Sequence, residues 1–243
     1  SSILNQRVSA SRRFAAQSFE LARLRRIAQH FNVTINDVVL AICSGALREY
    51  LLSQNALPKK PMIAMVPTSV RQDDSDVSNR ITMILANLGT HLADPLARLS
   101  TIRRSVINAK QRFQRMSSDQ ILSYSACVYS PAGFNIVSGL MPKRQAFNLV
   151  ISNLPGPKES LYWNGARLDA IYPASIVLDG QALNITMTSY AGKLEVGLTA
   201  CRNAVPKMQN LLGHLEDEIV CFEQLMTTCN QDSINTMQHT QPS

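Results

Sequence analysis

Two short polar side chains, Ser152 and Asn153, end an apolar run and stand directly before a proline-glycine-proline turn. Val150 and Ile151 are β-branched, and two prolines around a glycine cannot continue a hydrogen-bonded ladder. The pattern therefore predicts a buried strand that stops in a rigid bend. Such a strand end can present a hydroxyl and a carboxamide to a bound substrate. The plain alternative is a turn that ends the strand and has no chemical role.

A second polar pair, Asn36 and Asp37, lies at the predicted start of a mostly apolar helix that runs to about Ser53. Thr34 precedes Asp37 by three residues, which is the spacing of a helix-capping box. The free backbone N–H groups of a first helical turn favour a negative charge. Asp37 therefore suits either a structural cap or a residue that supports an active site, and both roles stay open.

These pairs belong to a longer series of motifs. In chain order the series is Asn32-Val33-Thr34-Ile35-Asn36-Asp37, Pro67-Thr68-Ser69-Val70-Arg71, Asn79-Arg80-Ile81, Ser152-Asn153-Leu154-Pro155-Gly156-Pro157 and Gly165-Ala166-Arg167-Leu168. Each motif is weak singly, but their joint order and spacing are specific. Over residues 15–225 the chain resembles the C-terminal half of the bacterial wax ester synthase/diacylglycerol acyltransferases.

The resemblance implies a fold and an activity. The fold is the chloramphenicol-acetyltransferase-like, CoA-dependent acyltransferase fold, in which two similar halves pack around a central tunnel and this chain supplies the second. The activity is transfer of a long-chain acyl group from acyl-CoA to a fatty alcohol, giving a wax ester, or to a diacylglycerol, giving a triacylglycerol. A histidine base removes the hydroxyl proton as that oxygen attacks the thioester. Acyl-CoA is a substrate here, so no metal or other cofactor is expected.

The family carries its base in a His-His-x-x-x-Asp-Gly motif of the N-terminal half, and this chain lacks that motif. Its histidines, His30, His91, His214 and His239, have no second histidine or Asp-Gly beside them, so all four are expected to be structural. The chain alone is therefore predicted to hold no catalytic residue and to be inactive. Its expected partner is the N-terminal half of the same enzyme.

The resemblance also assigns roles to individual residues. Asn36 and Asp37 match an Asn-Asp motif that supports the catalytic region. The residues that match a motif bordering the tunnel are Ser152, Asn153, Pro155 and Gly156. Leu154 stands where valine is expected, which is a mild departure. Arg71 follows a predicted strand and could pair with a carboxylate or a CoA phosphate, with a structural salt bridge as the alternative.

The chain is basic, with a net charge of +7 and a pI near 9.4, which suits an anionic partner. The basic residues of two predicted helices lack the interleaved aromatic side chains of nucleic-acid binders, so we expect solvated helix faces and no nucleic-acid partner. These residues are Arg23, Arg25, Arg26, Arg98, Arg103, Arg104, Lys110, Arg112 and Arg115. The expected setting is peripheral association with a membrane or a lipid inclusion.

The five cysteines are scattered and form no Cys-x-x-Cys pair, which argues against a disulfide framework and a structural zinc site. A reducing, cytoplasmic location is expected. No leader is recognisable, and no apolar run approaches the ~18 residues that a membrane span requires.

Helices and strands are interspersed without strict alternation, which predicts an α/β domain with a mixed sheet covered by helices. We expect a linker from a missing N-terminal half over 1–17, the acyltransferase domain over 18–226 and a mobile tail over 227–243. The domain's predicted helices are 18–31, 34–53, 95–116, 118–128 and 205–226. The other predicted elements are an irregular segment over 131–142, strands over 61–67 and 81–88, a hairpin at Asn164-Gly165, and an antiparallel pair over 183–188 and 194–198 with one buried face.

Two other functions fit the sequence. The chain could be another thioester-condensing protein of the same fold. It could also be a non-catalytic module that binds a lipid or membrane surface through its basic helices.

Overall fold

The computed structural model describes residues 2–69, 81–138 and 145–238. In chain order its elements are β1 (Arg12–Glu20), α1 (Leu21–His30), α2 (Ile35–Ser53), β2 (Ile63–Ser69), β3 (Ile81–Asn87), α3 (Pro95–Gln114), α4 (Ser118–Ser138), β4 (Leu149–Leu154), β5 (Tyr162–Trp163), β6 (Ala166–Arg167), β7 (Leu183–Tyr190), β8 (Lys193–Cys201) and α5 (Asn210–Gln238).

Six strands form one mixed sheet in the order β1-β8-β7-β4-β2-β3. β1, β2, β4 and β7 run in one direction, whereas β3 and β8 run in the other. Helices α1, α2 and α5 pack on one face of this sheet, and α3 packs on the edge strand β3. The architecture confirms the predicted α/β class with a mixed sheet covered by helices.

The N-terminal residues correct the prediction of a linker over 1–17. β1 begins at Arg12 and pairs with β8 along its whole length. The buried carboxamide of Asn5 donates hydrogen bonds to the carbonyls of Phe147 (3.3 Å) and Gly180 (2.8 Å). The helix predicted from residue 18 begins at Leu21, because residues 18–20 complete the strand. The β1 sequence alternates too weakly to predict a strand, which forms because β8 supplies a partner.

Two further boundaries differ from the predictions. α5 begins at Asn210 instead of 205 and continues to Gln238, so most of the segment predicted as a tail over 227–243 is helical. α4 extends to Ser138, so the first part of the segment predicted to be irregular, 131–142, is also helical. The remainder of that segment lies outside the described residues.

The β7–β8 pair is buried on both faces, whereas the alternating pattern predicted one buried face. The connection from β4 to β7, residues 155–182, crosses the face opposite the helices. A Cβ atom on Gly197 would lie 1.8 Å from the Pro173 carbonyl oxygen of this connection. Glu195 is fully buried beneath the connection and accepts a hydrogen bond from Ser18 of β1. Polar side chains on this face therefore pack inside the protein.

The sequence predicted local structure correctly where a turn or a helix cap requires particular residues. Asn164 and Gly165 both have positive φ, at 48° and 83°, as the predicted hairpin turn between β5 and β6 requires. The Asp94 carboxylate accepts hydrogen bonds from the backbone of Leu96 and Ala97, which confirms the predicted start of α3.

Two of the arginines expected on solvated faces instead join helices. Arg98 of α3 is only 2% exposed and forms a 2.7 Å ion pair with Glu218 of α5. Arg23 of α1 is half-buried and pairs with Glu216 (2.6 Å) and Glu223 (2.7 Å) of α5. These ion pairs fix α5 against α1 and α3. The sequence periodicity of a single helix cannot reveal such contacts between helices.

Taken singly, none of the helices in the described ranges is long and apolar enough to cross a bilayer. α1 and α2 reach that length and composition only as a pair, and the chain bends by 103° between them.

Candidate functional site

The predicted site residues gather at one edge of the sheet. The carboxyl ends of the parallel strands β2, β4 and β7 meet there. α2 runs antiparallel to these strands, as two hydrogen bonds to the opposite edge of the sheet show: the Ser44 hydroxyl in its middle donates to the Leu88 carbonyl (2.5 Å), and the Tyr50 hydroxyl in its last turn donates to the Pro206 carbonyl (2.7 Å). The start of α2, with Asn36 and Asp37, therefore lies on the same side as the end of β4. Ligands of α/β proteins commonly bind outside the carboxyl ends of strands.

Ser152 and Asn153 lie on opposite faces of β4, because side chains alternate along a strand. Asn153 pairs in register with Met187 of β7, and Met187 lines a small apolar cavity together with Val39 of α2. Asn153 thus lies on the helical face, near the first turns of α2. Ser152 pairs in register with Thr186 and lies on the other face. The two side chains therefore face opposite sides of the sheet.

The proline-glycine-proline bend is fixed to the end of β7. The Gly156 N–H donates to the Ser189 hydroxyl (3.1 Å), and the Ala191 N–H donates to the Pro157 carbonyl (3.1 Å). The backbone of Gly156 approaches β7 so closely that a Cβ atom would lie 2.2 Å from the Ser189 carbonyl oxygen. Glycine is required at this position by packing, and the bend holds the end of β4 in place.

Asp37 forms the predicted capping box. One carboxylate oxygen accepts hydrogen bonds from the Thr34 N–H (3.0 Å) and the Thr34 hydroxyl (2.7 Å), and the Thr34 hydroxyl accepts from the Asp37 N–H (3.1 Å). Asp37 is only 4% exposed, whereas its neighbour Asn36 is half-buried. The cap is therefore a structural role of Asp37. It also fixes the first turn of α2, which lies at the site edge.

We expect the two roles of Asp37 to separate by mutation. Thr34→Ala removes the hydroxyl of the cap and leaves the carboxylate, so it should cost about 1 kcal/mol of stability. Asp37→Asn keeps an acceptor for the cap but removes the charge. In the complete enzyme we expect Asp37→Asn to lower turnover at least about tenfold more than Thr34→Ala, at a similar melting temperature. Equal turnover of the two variants would limit Asp37 to the cap.

Arg71 lies outside the described residues, as does His239. His30 and His91 are exposed, and His214 lies 3.7 Å from Asp217 on the same helix. Among the described residues, no three His, Cys, Asp or Glu side chains are grouped so that they could hold a metal ion.

Sequence reasoning missed a groove beside β3. Met83 and Leu85 of β3 form its wall with Phe113 of α3 and Tyr124 of α4, and the groove encloses about 270 Å³. Arg112 contributes the charged end and donates a hydrogen bond to the Tyr124 hydroxyl (3.4 Å). Met83 pairs in register with Pro67 of β2 near the site edge, so the groove begins close to the candidate site. No pattern in the sequence indicated this groove, because its lining comes from three separate elements, β3, α3 and α4.

Comparison with protein families identifies the chain's relatives. The family model described as the WS/DGAT C-terminal domain matches residues 77–222, and that of the wax ester synthase/diacylglycerol acyltransferase catalytic domain matches residues 1–39. The first match covers more than half of the chain and includes the motif around Ser152 and Asn153.

Individual relatives agree with this match. The O-acyltransferase WSD of Acinetobacter baylyi is 75% identical over 235 residues, which are 97% of this chain and 51% of that protein. A Mycobacterium tuberculosis protein named Probable diacyglycerol O-acyltransferase tgs2 is 46% identical over 226 residues, covering 92% of this chain and 50% of that protein. The chain thus spans about half the length of the curated relatives it matches.

Solved structures show the same relationship. The wax ester synthase/diacylglycerol acyltransferase of Marinobacter aquaeolei VT8 superimposes with a TM-score of 0.85 at 44% identity, covering 93% of this chain and 52% of that one. The epimerization domain of tyrocidine synthetase B gives a TM-score of 0.59 at 10% identity, which is a likeness of fold alone. These neighbours confirm the chloramphenicol-acetyltransferase-like fold, and the chain belongs to the wax ester synthase/diacylglycerol acyltransferase family.

Proposed function

We propose that this chain is the C-terminal half of an O-acyltransferase that moves a long-chain acyl group from acyl-CoA to a fatty alcohol or a diacylglycerol. The hydroxyl oxygen of the acceptor attacks the thioester carbonyl, a base takes the hydroxyl proton, and the CoA thiolate leaves and is protonated. The base is a histidine of the N-terminal half, and acyl-CoA enters as a substrate without a metal or redox cofactor.

The observation that carries the proposal is the polar strand end at 152–153, which lies within the span 77–222 that matches the family and at the same edge of the sheet as the capped start of α2. Such an arrangement fixes small polar groups on the two faces of the strand end with little freedom, as a site that orients two substrates requires. Ser152 and Asn153 border the tunnel from the two faces of β4, and Asn36 and Asp37 support it from α2.

The groove beside β3 supports the choice of an acyl substrate. Its walls are the apolar side chains of Met83, Leu85 and Phe113, and it begins near the site edge. An acyl chain placed there would leave water while its thioester stays at the carboxyl ends of the strands. Arg112 at the charged end would remain in solvent.

The surface charge supports the proposed cellular setting. The net charge of +7 and the exposed arginines Arg25, Arg26, Arg103 and Arg104 favour an anionic lipid surface. We place the enzyme in the cytoplasm, where it associates peripherally with a membrane or lipid inclusion and meets its water-insoluble acceptors.

The function is tested by following CoA release and product formation from hexadecanoyl-CoA with hexadecanol or a diacylglycerol. The complete enzyme should form ester with both acceptors, and residues 1–243 alone should show no turnover above buffer. Turnover by this chain alone would contradict the assignment of the base to the other half. A complete enzyme that binds the lipids but releases no CoA would instead favour a lipid-binding module.

A further inference from the structure

The segment that contains α3 and the start of α4 carries most of the chain's net positive charge. Residues 95–120 include six basic residues and one acidic residue, Asp119, so their net charge is +5, whereas the whole chain carries +7. The buried Arg98 pairs with Glu218, but the other five basic side chains form no ion pair with any residue that the structure describes. An unpaired cluster of like charges favours an anionic partner. The five are Arg103, Arg104, Lys110, Arg112 and Arg115.

Two of these arginines line a pocket between the end of α3 and the start of α4. The pocket encloses about 670 Å³, and we refer to it as the arginine pocket. Its lining provides two guanidinium groups and three carboxamides and includes no carboxylate. Guanidinium groups bind phosphate oxygens through paired hydrogen bonds, so this lining suits a phosphate group. The lining residues are Asn108, Gln111, Arg112, Arg115, Met116 and Gln120.

Hydrogen bonds hold two of the polar side chains of the pocket. The Arg112 guanidinium donates to the Tyr124 hydroxyl of α4 (3.4 Å), which uses one of its five N–H donors. The Oε1 atom of Gln120 accepts the Ser117 N–H (2.9 Å), which leaves the Nε2 donor of the same carboxamide for a ligand. The pocket therefore offers several N–H donors from both helices.

The arginine pocket adjoins the groove beside β3. Asn108 and Arg112 line both cavities and so form the boundary between them. Beyond this boundary the lining of the groove becomes apolar, with Met83, Leu85 and Phe113. A cationic pocket next to an apolar groove matches the two parts of an amphiphile, a phosphate group and an acyl chain.

Exposed apolar side chains accompany these charges. Ile107 is 42% exposed and lies one helical turn from Arg103, Arg104 and Lys110. Leu122 of α4 is 71% exposed. A surface that combines basic and exposed apolar side chains is typical of contact with a lipid interface, where the basic groups meet headgroups and the apolar groups enter between them. A small soluble anion would need only the pocket itself.

We infer that the arginine pocket binds the phosphate headgroup of an anionic phospholipid at the lipid surface on which the enzyme works. This site deepens the proposed function and rests on it, since that surface is the source of the water-insoluble acceptor. The headgroup contact would place the outer end of the groove against the lipid. An apolar molecule could then pass between the lipid and the groove without crossing water.

Vesicle binding of the complete enzyme tests the inference without any need for turnover. The probe is a vesicle of equal parts phosphatidylcholine and phosphatidylglycerol, and pure phosphatidylcholine vesicles are the neutral comparison. Each basic residue at an anionic surface strengthens binding about fivefold, so Arg112→Gln combined with Arg115→Gln should weaken binding to the mixed vesicles about twentyfold. Both arginines are exposed, so we expect the melting temperature to stay unchanged. Unchanged binding of this double variant, or equal binding of the native enzyme to both vesicles, would overturn the inference.

Arg202→Gln combined with Lys207→Gln is the matched control. Both side chains are exposed, and neither forms an ion pair within the described part of the chain. They follow β8, which three strands separate from β3. The control removes the same charge from another surface, so it should weaken binding to the mixed vesicles by less than about threefold. An equal loss in the two double variants would show that net charge alone drives binding, and the headgroup site would be wrong.

Calorimetry with free CoA distinguishes a lipid headgroup from a soluble phosphate ligand. The double variant of Arg112 and Arg115 should bind free CoA as the native enzyme does, within about twofold, because the thioester is placed at the other end of the groove. A loss of CoA affinity of about tenfold or more would assign the pocket to the CoA phosphates and overturn the inference.

Turnover measured on the same samples separates the headgroup site from the proposed function. A complete enzyme that binds mixed vesicles through the arginine pocket but releases no CoA from hexadecanoyl-CoA would contradict the proposed function and leave the headgroup site intact. An enzyme that forms ester but binds mixed and neutral vesicles equally would retain the proposed function and overturn the headgroup site.

Discussion

Replacing Gly45 with alanine should destabilise the domain by about 3 kcal/mol or more, although alanine is the better helix former by about 1 kcal/mol. Gly45 lies where α2 crosses α5. A Cβ atom there would lie 1.9 to 2.3 Å from the carboxylate atoms of Glu218. The carboxylate would have to move, and its surroundings make that movement costly.

Glu218 is held by the buried ion pair with Arg98, at 2.7 Å. Burial raises the pKa of the Glu218 carboxyl, although the neighbouring Arg98 guanidinium opposes that shift. Arg98 is also fixed by hydrogen bonds from its guanidinium to the carbonyls of Leu92 and Ala93. A displaced carboxylate would leave the Arg98 charge buried without its partner, which is the costly outcome for such pairs.

The measurement is urea unfolding of residues 1–243 with a glycine variant on α5 as the matched control. Gly213 is also helical, but a Cβ atom there would meet nothing within 4 Å. Gly213→Ala should therefore be neutral or stabilise by up to about 1 kcal/mol. Unfolding of Gly45→Ala and Gly213→Ala at the same urea concentration would contradict a tightly packed crossing of α2 and α5.

Replacing Gly156 with alanine should lower kcat/KM of the complete enzyme about a hundredfold, because small displacements at a reacting centre are costly. The added methyl group would collide with the Ser189 carbonyl oxygen at 2.2 Å and crowd the Thr188 hydroxyl at 2.8 Å. The first of these is backbone, so relief requires a shift of the bend away from β7. Ser152 and Asn153 at the end of β4 would shift with it.

Acyl-CoA turnover and thermal melting of the complete enzyme check this prediction together. We expect the stability loss to stay within about 1 to 3 kcal/mol, as for other overpacked positions, so that the folded variant can be assayed. Gly133→Ala on α4 is the matched control, because its Cβ would meet nothing within 4 Å. Unchanged turnover of the folded Gly156→Ala enzyme would place the bend away from the chemistry.

The sequence determined those features that depend on a few adjacent residues. The capping box of Thr34 and Asp37, the Asp94 cap of α3 and the Asn164-Gly165 turn were predicted correctly, because each depends on local backbone geometry and short-range hydrogen bonds. The strand before the proline-glycine-proline bend was also predicted correctly, since proline and glycine have strong effects on their own backbone.

The tertiary structure alone decided which polar residues are buried and which motifs are neighbours. Arg98 and Glu218 form an ion pair although they are 120 residues apart in sequence. Glu195 is buried by the connection between β4 and β7, and the alternating pattern of β8 does not reveal this burial. Asn36 and Asn153 lie at one edge of the sheet because α2 runs antiparallel to β4. Strand order and helix direction result from the packing of the whole core, and the energy of that packing is distributed over contacts between segments that are distant in sequence.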